Sequence, residues 1–216
     1  MLTLFEELFL LALHEEKGAV IPAVASRLGY GLAGAVIAEL ALLGKVRVGE
    51  NRRLELLEEN HTGDEILDKA LDQIRESENI RKVTFWIRAF SDRPKQFNQH
   101  LAERLVNKGV LTQEDNHFGS VIPFVSAPEQ KASARYWIKS RLRALVFTLE
   151  EPDLRGLALL GLVHACGLSF LVFTKDERKM AGKRVYELMI GKALSDPLAQ
   201  VIEEIDAALE SLVGAG

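Results

Sequence analysis

A stretch of thirteen residues, Gly31 to Leu43, is apolar on nearly every face and carries one charged side chain, Glu39. A helix of this composition has no polar face to present to water, so it must be buried. Gly44 follows it, and a glycine just beyond the last helical residue is a common helix stop. The pattern therefore predicts a buried helix that ends at Leu43.

Apolar and polar residues alternate in the segment that follows this helix. Val46 and Val48 precede the turn-forming residues 49–51, and Leu54 and Leu56 come after them. Alternation on both sides of a glycine-containing turn predicts a two-stranded hairpin. The hairpin is basic, and its cations are Lys45, Arg47, Arg52 and Arg53.

Helical periodicity covers most of the remaining chain. Residues 3–14 have apolar positions at helical spacing, and Thr3 with Glu6 matches a capping box. Thr62 is the expected N-cap of a later helix, with Asp64 and Glu65 in its first turn. The other segments with helix signals are 22–29 (a short helix or turn), 81–90, 94–108, 131–148, 152–166, 175–190 and 197–212. We predict a mainly α protein in which residues 1–216 form a single compact helical domain with short β-hairpins.

Residues 110–127 differ from the helical segments around them. Val121, Ile122, Phe124 and Val125 lie among glycine, serine and proline residues. This composition predicts an exposed hairpin or extended loop with more apolar surface than a linker carries. The open alternatives are a dimerisation hairpin, a contact with the core, and insertion into a membrane.

The charge distribution bears on the kind of partner. The 27 basic and 31 acidic residues give a net charge of −4, so binding to a polyanion requires a local patch. Two segments, 81–108 and 131–143, each carry a net charge of +5. Together they indicate either an anion-binding face or two solvated helix faces. The single cysteine, Cys166, and an N-terminus without signal-peptide features lead us to expect a cytoplasmic protein.

Catalytic and metal-binding patterns are not found in the sequence. No histidine has metal-ligand spacing with another histidine or with Cys166, and phosphate-binding and nucleophile motifs are missing. We interpret His164 and Cys166 as two buried core side chains. The paired glutamates, including Glu6-Glu7, are interpreted as solvated faces. We therefore expect no enzyme, no metal and no cofactor.

Two functions fit a buried helix followed by a basic hairpin. The first is a winged-helix DNA binder, but residues 31–43 offer aliphatic side chains where base edges require Arg, Lys, Asn or Gln. The second is a peripheral membrane protein whose basic face contacts anionic head groups. The aliphatic composition favours the second function, and we do not expect a nucleic-acid partner.

Six segments in order resemble the Golgi phosphoprotein 3 family, and the likeness runs from Leu2 to about Ile190. They read LTLFEELFLLAL, GLAGAVIAELALLGKV, TGDEILDKAL, ERLVNKGVLT, LALLGLVHACGL and AGKRVYELM. The resemblance implies a central helical bundle wrapped by amphipathic helices. It also implies binding of phosphatidylinositol 4-phosphate on membranes, and oligomerisation through a hairpin at 112–127. The short chain resembles prokaryotic-type members, and it begins at the first helix, so the family's recruitment of coat proteins is not expected.

The family's phosphate pocket can be placed on this sequence residue by residue. Its tryptophan falls on Ala23 or Val24, its helix arginine falls on Ala33, and its two further arginines fall on Lys95 and Asn98. Lys95 is thus the one position of the four that keeps a positive charge. The candidates to replace the missing charge, because they are near in sequence, are Arg27, Arg88 and Arg93.

The resulting expectation is a non-enzymatic protein that attaches peripherally to the cytoplasmic face of a membrane. Its partners would be anionic phospholipid or phosphoinositide head groups and further copies of itself. The alternative is an oligomeric interaction scaffold that kept the fold and lost phosphoinositide binding. The sequence identifies no client protein.

Overall fold

A long apolar helix lies at the centre of the computed structural model, which describes residues 1–14, 18–113, 125–126, 129–148, 153–193 and 197–213. The helices in these ranges are α1 (Leu4–Ala12), α2 (Ala25–Leu42), α3 (Glu65–Arg75), α4 (Val83–Phe90), α5 (Pro94–Asn107), α6 (Glu129–Phe147), α7 (Leu154–Ala165), α8 (Ser169–Val172), α9 (Arg178–Ala193) and α10 (Pro197–Val213). The strands are β1 (Val46–Val48), β2 (Leu54–Leu56), β3 (Thr112–Gln113) and β4 (Val125–Ser126). The prediction of a mainly α fold is confirmed.

Helix α2 is surrounded by α1, α4, α7 and α10, and its residues from Gly31 to Leu40 are all buried. The helix is longer than predicted, because the expected short helix at 22–29 and the apolar helix form one element after a 3-10 turn at Pro22–Val24. Glycines 29 and 31 do not interrupt it, since tertiary packing outweighs their low helix propensity. Gly44 ends it in a left-handed conformation at φ 69°, as predicted.

The apolar length of this helix also meets the criterion for a membrane span. The stretch Pro22–Leu42 is long and apolar enough to cross a bilayer, but 67% of its most apolar window is buried inside the protein. A core helix has the same composition, because neighbouring side chains replace lipid around it.

Helix α1 begins with the predicted capping box. The Thr3 hydroxyl accepts from the Glu6 amide, and the Glu6 carboxylate accepts from the Thr3 amide. Every residue of the helix is buried, including Glu6 and Glu7. The interpretation of this glutamate pair as a solvated face is therefore wrong, because basic side chains from α5 and α6 enclose it.

The basic hairpin is confirmed. Strands β1 and β2 are antiparallel, with Val46 opposite Leu56 and Val48 opposite Leu54. Asn51 and Arg52 adopt positive φ in the connection, which includes a short 3-10 turn. Val46 and Leu54 are buried against the core, so the hairpin is attached through one of its faces.

Three local predictions are corrected by the structure. Asp64, rather than Thr62, caps α3 by accepting from the amides of Ile66 and Leu67, while the Thr62 hydroxyl bonds the Asp64 amide and Asp68. Helix α9 starts at Arg178, three residues later than predicted, because the preceding residues form a turn. His164 is exposed, whereas Cys166 is buried as expected, since the two positions lie on different faces of the chain.

The predicted hairpin near residue 120 is represented by its base. Thr112 pairs with Ser126 and Gln113 pairs with Val125 in an antiparallel arrangement. Val121, Ile122 and Phe124 lie outside the described residues, so the expected oligomerisation contact stays a prediction.

Candidate functional site

Several of the cations that suggested an anion-binding face are used to hold helices together. Arg104 of α5 bonds the Glu6 carboxylate at 3.1 Å and the Asp64 carboxylate at 2.6 Å. Lys108, one turn further along α5, lies 2.6 Å from Glu6. These two cations join α1, α3 and α5, and they are not available to a ligand.

These ion pairs affect the pKa values of the Glu6 and Asp64 carboxyl groups. Burial opposes ionisation of Glu6, but bonds from Lys108 and Thr3 and the charge of Arg104 outweigh it and lower its pKa. For Asp64, burial is likewise outweighed by the bonds and charge of Arg104, which lower the pKa. Both groups are therefore charged structural partners at neutral pH.

The second basic segment is also engaged within the protein. Arg135 is buried and donates to the carbonyls of Leu10 and Leu13 at the end of α1. Arg141 lies 2.7 Å from Glu7, and Arg143 lies 2.5 Å from Glu177. Positive side chains at a helix C-terminus satisfy its free carbonyls and complement its dipole. We therefore assign these three cations to the fold.

Glu39, the one charge in the predicted buried helix, has a structural role of the same kind. Its carboxylate bonds Arg155 of α7 at 2.7 Å and accepts from the Leu4 amide at 2.6 Å. Arg155 also donates to the carbonyl of Leu2. The carboxylate thus links α2 and α7 to the first amide of α1, because a buried charge requires partners.

The start of α5, which carries the predicted head-group residues Lys95 and Asn98, approaches α2 near Gly29. A β-carbon on Gly29 would lie 3.3 Å from Cβ of Pro94. Gly29 and Ala33 are one turn apart and share a face of α2, and Ala33 is fully buried on it. Lys95 and Asn98 occupy the first two turns of α5 beside this contact. We call Ala33, Lys95 and Asn98, the three positions to which the family likeness points on these two helices, the α2–α5 site.

The polar groups at the α2–α5 site differ in their environment. Lys95 is exposed and makes no ion pair with any residue that the structure describes. Asn98 is half-buried, and its Oδ1 is enclosed without a hydrogen-bond partner among those residues. A buried amide oxygen without a partner can accept a bond from a ligand hydroxyl. Among the described residues, the site thus has one exposed cation without an ion pair and one acceptor without a partner that is enclosed by the protein.

The remaining candidates lie around this site or away from it. Val24 is buried at the start of α2, and Arg93 is exposed just before α5, 3.9 Å from Asp92. Arg27 is directed elsewhere, because its Nη1 would lie 3.7 Å from a β-carbon on Gly167, between α7 and α8. Arg88 is exposed on α4. Of the possible replacement cations, Arg93 is the one that directly precedes the start of α5.

An open cavity of about 700 Å³ lies along another face of α5, towards α3. Phe97 and Val36 contribute to its apolar lining, and Arg93 and Lys69 are at its wall. His100 and Glu65, which also line it, are 2.7 Å apart. Lys95 and Asn98 do not line this cavity, so it is separate from the α2–α5 site.

Two observations concern side chains that could perform catalysis or bind a metal ion. Burial raises the pKa of the Cys166 thiol to about 12, which keeps it protonated and unreactive. Within the described ranges, no three His, Cys, Asp or Glu side chains come together in a way that could hold a metal ion.

Comparison with known proteins agrees with the order of the sequence motifs. The profile described as Golgi phosphoprotein 3 (GPP34) matches residues 4–205. A vacuolar protein sorting-associated protein 74 from Schizosaccharomyces pombe is 33% identical over 137 residues, covering 54% of this chain and 40% of that protein. One of the same name from Eremothecium gossypii is 28% identical over 228 aligned positions, covering 88% of this chain and 67% of that protein. Since the profile match covers nearly the whole chain, the protein belongs to the Golgi phosphoprotein 3 family.

Proposed function

We propose that the protein attaches peripherally to membranes by binding anionic lipid head groups at the α2–α5 site, with phosphatidylinositol 4-phosphate as the preferred ligand. The observation that supports the proposal is the close approach of Gly29 in α2 to Pro94, the residue before Lys95, where a β-carbon on the glycine would lie 3.3 Å from the proline Cβ. Membership of a family named for the Golgi supports a role at membranes. We propose a cytoplasmic location and a binding rather than a catalytic role.

The chemistry of the α2–α5 site suits a phosphorylated inositol ring. The ammonium group of Lys95 would pair with a phosphate, and Arg93 would add a second positive charge at its edge. The amide oxygen of Asn98 would accept from a ring hydroxyl once the side chain turned outward from its enclosed position. Ala33 brings no charge, so two cations must provide the attraction.

The competing function is an interaction scaffold without a lipid ligand. The observation that favours it is the apolar character of Val24 and Ala33, which are buried where the family places ligand-binding side chains. A scaffold would keep the helical core, including the Glu39–Arg155 pair, because that core does not depend on the ligand.

Co-sedimentation with liposomes separates the two functions. We expect binding to phosphatidylcholine vesicles containing phosphatidylinositol 4-phosphate that exceeds binding to vesicles of equal charge containing phosphatidylglycerol, at low and at high salt. Lys95→Ala should remove this preference. Lys175→Ala, which removes an exposed cation elsewhere, is the matched control and should leave it unchanged.

The outcomes are distinct. Equal binding to both anionic vesicles, decreasing with salt, would indicate a general basic surface and contradict phosphoinositide selectivity. No binding to any vesicle would favour the scaffold. If Lys95→Ala behaves like Lys175→Ala while the preference persists, the site assignment is wrong.

We further propose that copies of the chain associate through residues 112–127. The support is the antiparallel base formed by β3 and β4 and the apolar composition of 121–125, with Val121, Ile122, Phe124 and Val125. Sedimentation equilibrium should give a mass above 24.0 kDa, and Ile122→Ser with Phe124→Ser should reduce it towards that value. A monomeric wild-type protein would contradict this proposal.

A further inference from the structure

The basic hairpin and the segment before α4 form one surface, although the residues that join them are 27 to 29 positions apart along the chain. Arg53 and Lys82 form an antiparallel bridge. The Leu54 amide donates to the Arg81 carbonyl at 2.9 Å, and Arg53 Nη1 donates to the Ile80 carbonyl at 3.2 Å. The hairpin is thus joined to the start of α4 by backbone and side-chain bonds.

The cations on this surface differ from those in the structural ion pairs. Arg53, Arg81, Lys82 and Arg88 are exposed, and within the described ranges none of them forms an ion pair. Arg81 lies over the ring of Phe85 at 5.1 Å, and Arg88 follows Phe85 by one helical turn. The nearby carboxylate of Glu204 is already paired with Arg52 at 3.2 Å. Among the described residues these four cations thus form no ion pair, although the charge of Lys82, like that of Arg52, favours ionisation of Glu204.

Two apolar side chains project among these cations. Ile80 is 55% exposed and Phe85 is 45% exposed. An apolar side chain surrounded by Lys and Arg is costly in water, but it is suited to the boundary between lipid head groups and acyl chains. The two residues therefore supply the apolar part of an amphipathic contact.

We propose that the surface formed by Arg53, Ile80, Arg81, Lys82, Phe85 and Arg88, the hairpin–α4 surface, contacts the plane of an anionic bilayer. The cations would lie among phosphate groups while Ile80 and Phe85 enter the interface. This inference rests on the proposed membrane attachment, but it uses side chains outside the α2–α5 site. The surface provides attraction to anionic lipid in general, whereas the α2–α5 site would select one head group.

A bilayer fits this surface better than a nucleic acid does. Phe85 could stack on a base, but Ile80 has neither a planar face nor a polar group to offer to one. The helix that would enter a groove in a winged-helix protein, α2, is enclosed by other helices. Charge complementarity together with an exposed aliphatic side chain therefore points to lipid.

The test is co-sedimentation of the full chain with vesicles of phosphatidylcholine and phosphatidylglycerol that contain no phosphoinositide. Arg81→Gln with Arg88→Gln should weaken binding about thirtyfold, because each cation near an anionic leaflet contributes about fivefold. Ile80→Ser should weaken it about fivefold through loss of apolar insertion. The matched controls are Lys175→Gln with Lys179→Gln for charge and Met180→Ser for exposed apolar area, and neither should change binding.

Each result has one meaning. If the wild type binds and Arg81→Gln with Arg88→Gln binds as well as the lysine control, this inference is overturned and the proposed function survives. If the wild type binds no vesicle of any composition, both fail. The protein could instead bind duplex DNA and no vesicle. If Arg81→Gln with Arg88→Gln then abolishes DNA binding, the surface is a nucleic-acid site and the lipid assignment is wrong. Circular dichroism of each variant confirms that the helices are intact.

Discussion

Gly31 of α2 lies directly against Cys166 at the end of α7, where a β-carbon at position 31 would collide with the cysteine sulfur. The missing side chain allows the two helices to approach. Gly34 serves α10 in the same way, since a β-carbon there would lie 2.6 Å from Cγ2 of Ile205. The small residues of α2 therefore set the spacing of the central bundle.

This contact predicts how a methyl group at position 31 behaves. Gly31→Ala should lower the free energy of unfolding by about 1 to 3 kcal/mol through overpacking, although alanine has the better helix propensity. Cys166→Ala removes the sulfur, so the double variant should recover much of the loss. Gly182→Ala in α9, where no atom lies within 4 Å of the new carbon, is the control and should be neutral or stabilising. Urea unfolding of the wild type and of these four variants measures the effects, and additive losses for Gly31→Ala and Cys166→Ala would contradict the contact.

The thiol of Cys166 provides a probe of the same packing. Because burial raises its pKa to about 12, it should resist alkylation by iodoacetamide at pH 8 in the native protein. Labelling should begin only where denaturant unfolds the chain, and its midpoint should match that of circular dichroism. Rapid labelling in the folded protein would show that α7 is not enclosed as described.

The ion pairs of Arg104 and Lys108, which join α1, α3 and α5, predict that the stability of the protein depends on pH. Arg104→Met leaves Asp64 and part of Glu6 without a partner and should cost about 2 to 3 kcal/mol at pH 7. The pKa values of both carboxyls are lower in the folded state than in the unfolded state. The stability that the ionised carboxyls provide is therefore fully present above the pKa values of the unfolded state, and it is lost as the pH falls and the carboxyls become protonated. The difference between wild type and variant should therefore shrink below about pH 4.

Two comparisons make this pH experiment specific. Burial raises the pKa of Glu7 despite Arg141, so protonation of Glu7 acts in the opposite direction, but it contributes equally to both proteins and cancels in the difference. Arg75→Met removes an exposed pair with Asp72 and should cost less than about 1 kcal/mol at every pH. If the difference in the free energy of unfolding between the wild type and Arg104→Met does not vary with pH, the ionic role of Arg104 is contradicted.

The end of α1 predicts an effect specific to a guanidinium group. Arg135→Met should destabilise the protein by about 2 to 3 kcal/mol, because the carbonyls of Leu10 and Leu13 lose a buried donor. Arg135→Lys should recover only part of the lost stability, since one ammonium group cannot reproduce the several N–H donors of the planar guanidinium group. Arg143→Met, which loses a half-exposed pair with Glu177, should cost less than about 1 kcal/mol. Equal losses at 135 and 143 in thermal unfolding would refute this role.

Local sequence patterns predicted the structure correctly where it depends on residues within one short segment. The capping box at Thr3 depends on neighbours three residues apart, and the β1–β2 hairpin depends on alternation around one turn. Errors arose where distant residues decide. Glu6 and Glu7 look solvated until α5 and α6 supply cations, and the short helix at 22–29 merges with α2 because the surrounding helices support its glycines.

The candidate site shows the same division. The family likeness pointed to Lys95 and Asn98, but only the fold shows that Pro94 meets Gly29 while Arg27 faces Gly167. The cations of segments 81–108 and 131–143 carry equal net charge in the sequence. Tertiary structure pairs Arg104, Lys108, Arg141 and Arg143 with acids, whereas Arg81, Lys82 and Arg88 form no ion pair with any residue in the described ranges.

By itself, the sequence determined that this is a helical protein with a buried apolar helix and a basic hairpin, because periodicity and helix stops are properties of neighbouring residues. It also carried the ordered motifs of the family. The tertiary structure alone decided which charges are paired, because pairing depends on side chains that are far apart along the chain, as Arg141 and Glu7 are at 134 positions. Free charge, rather than total charge, determines where an anionic partner can bind.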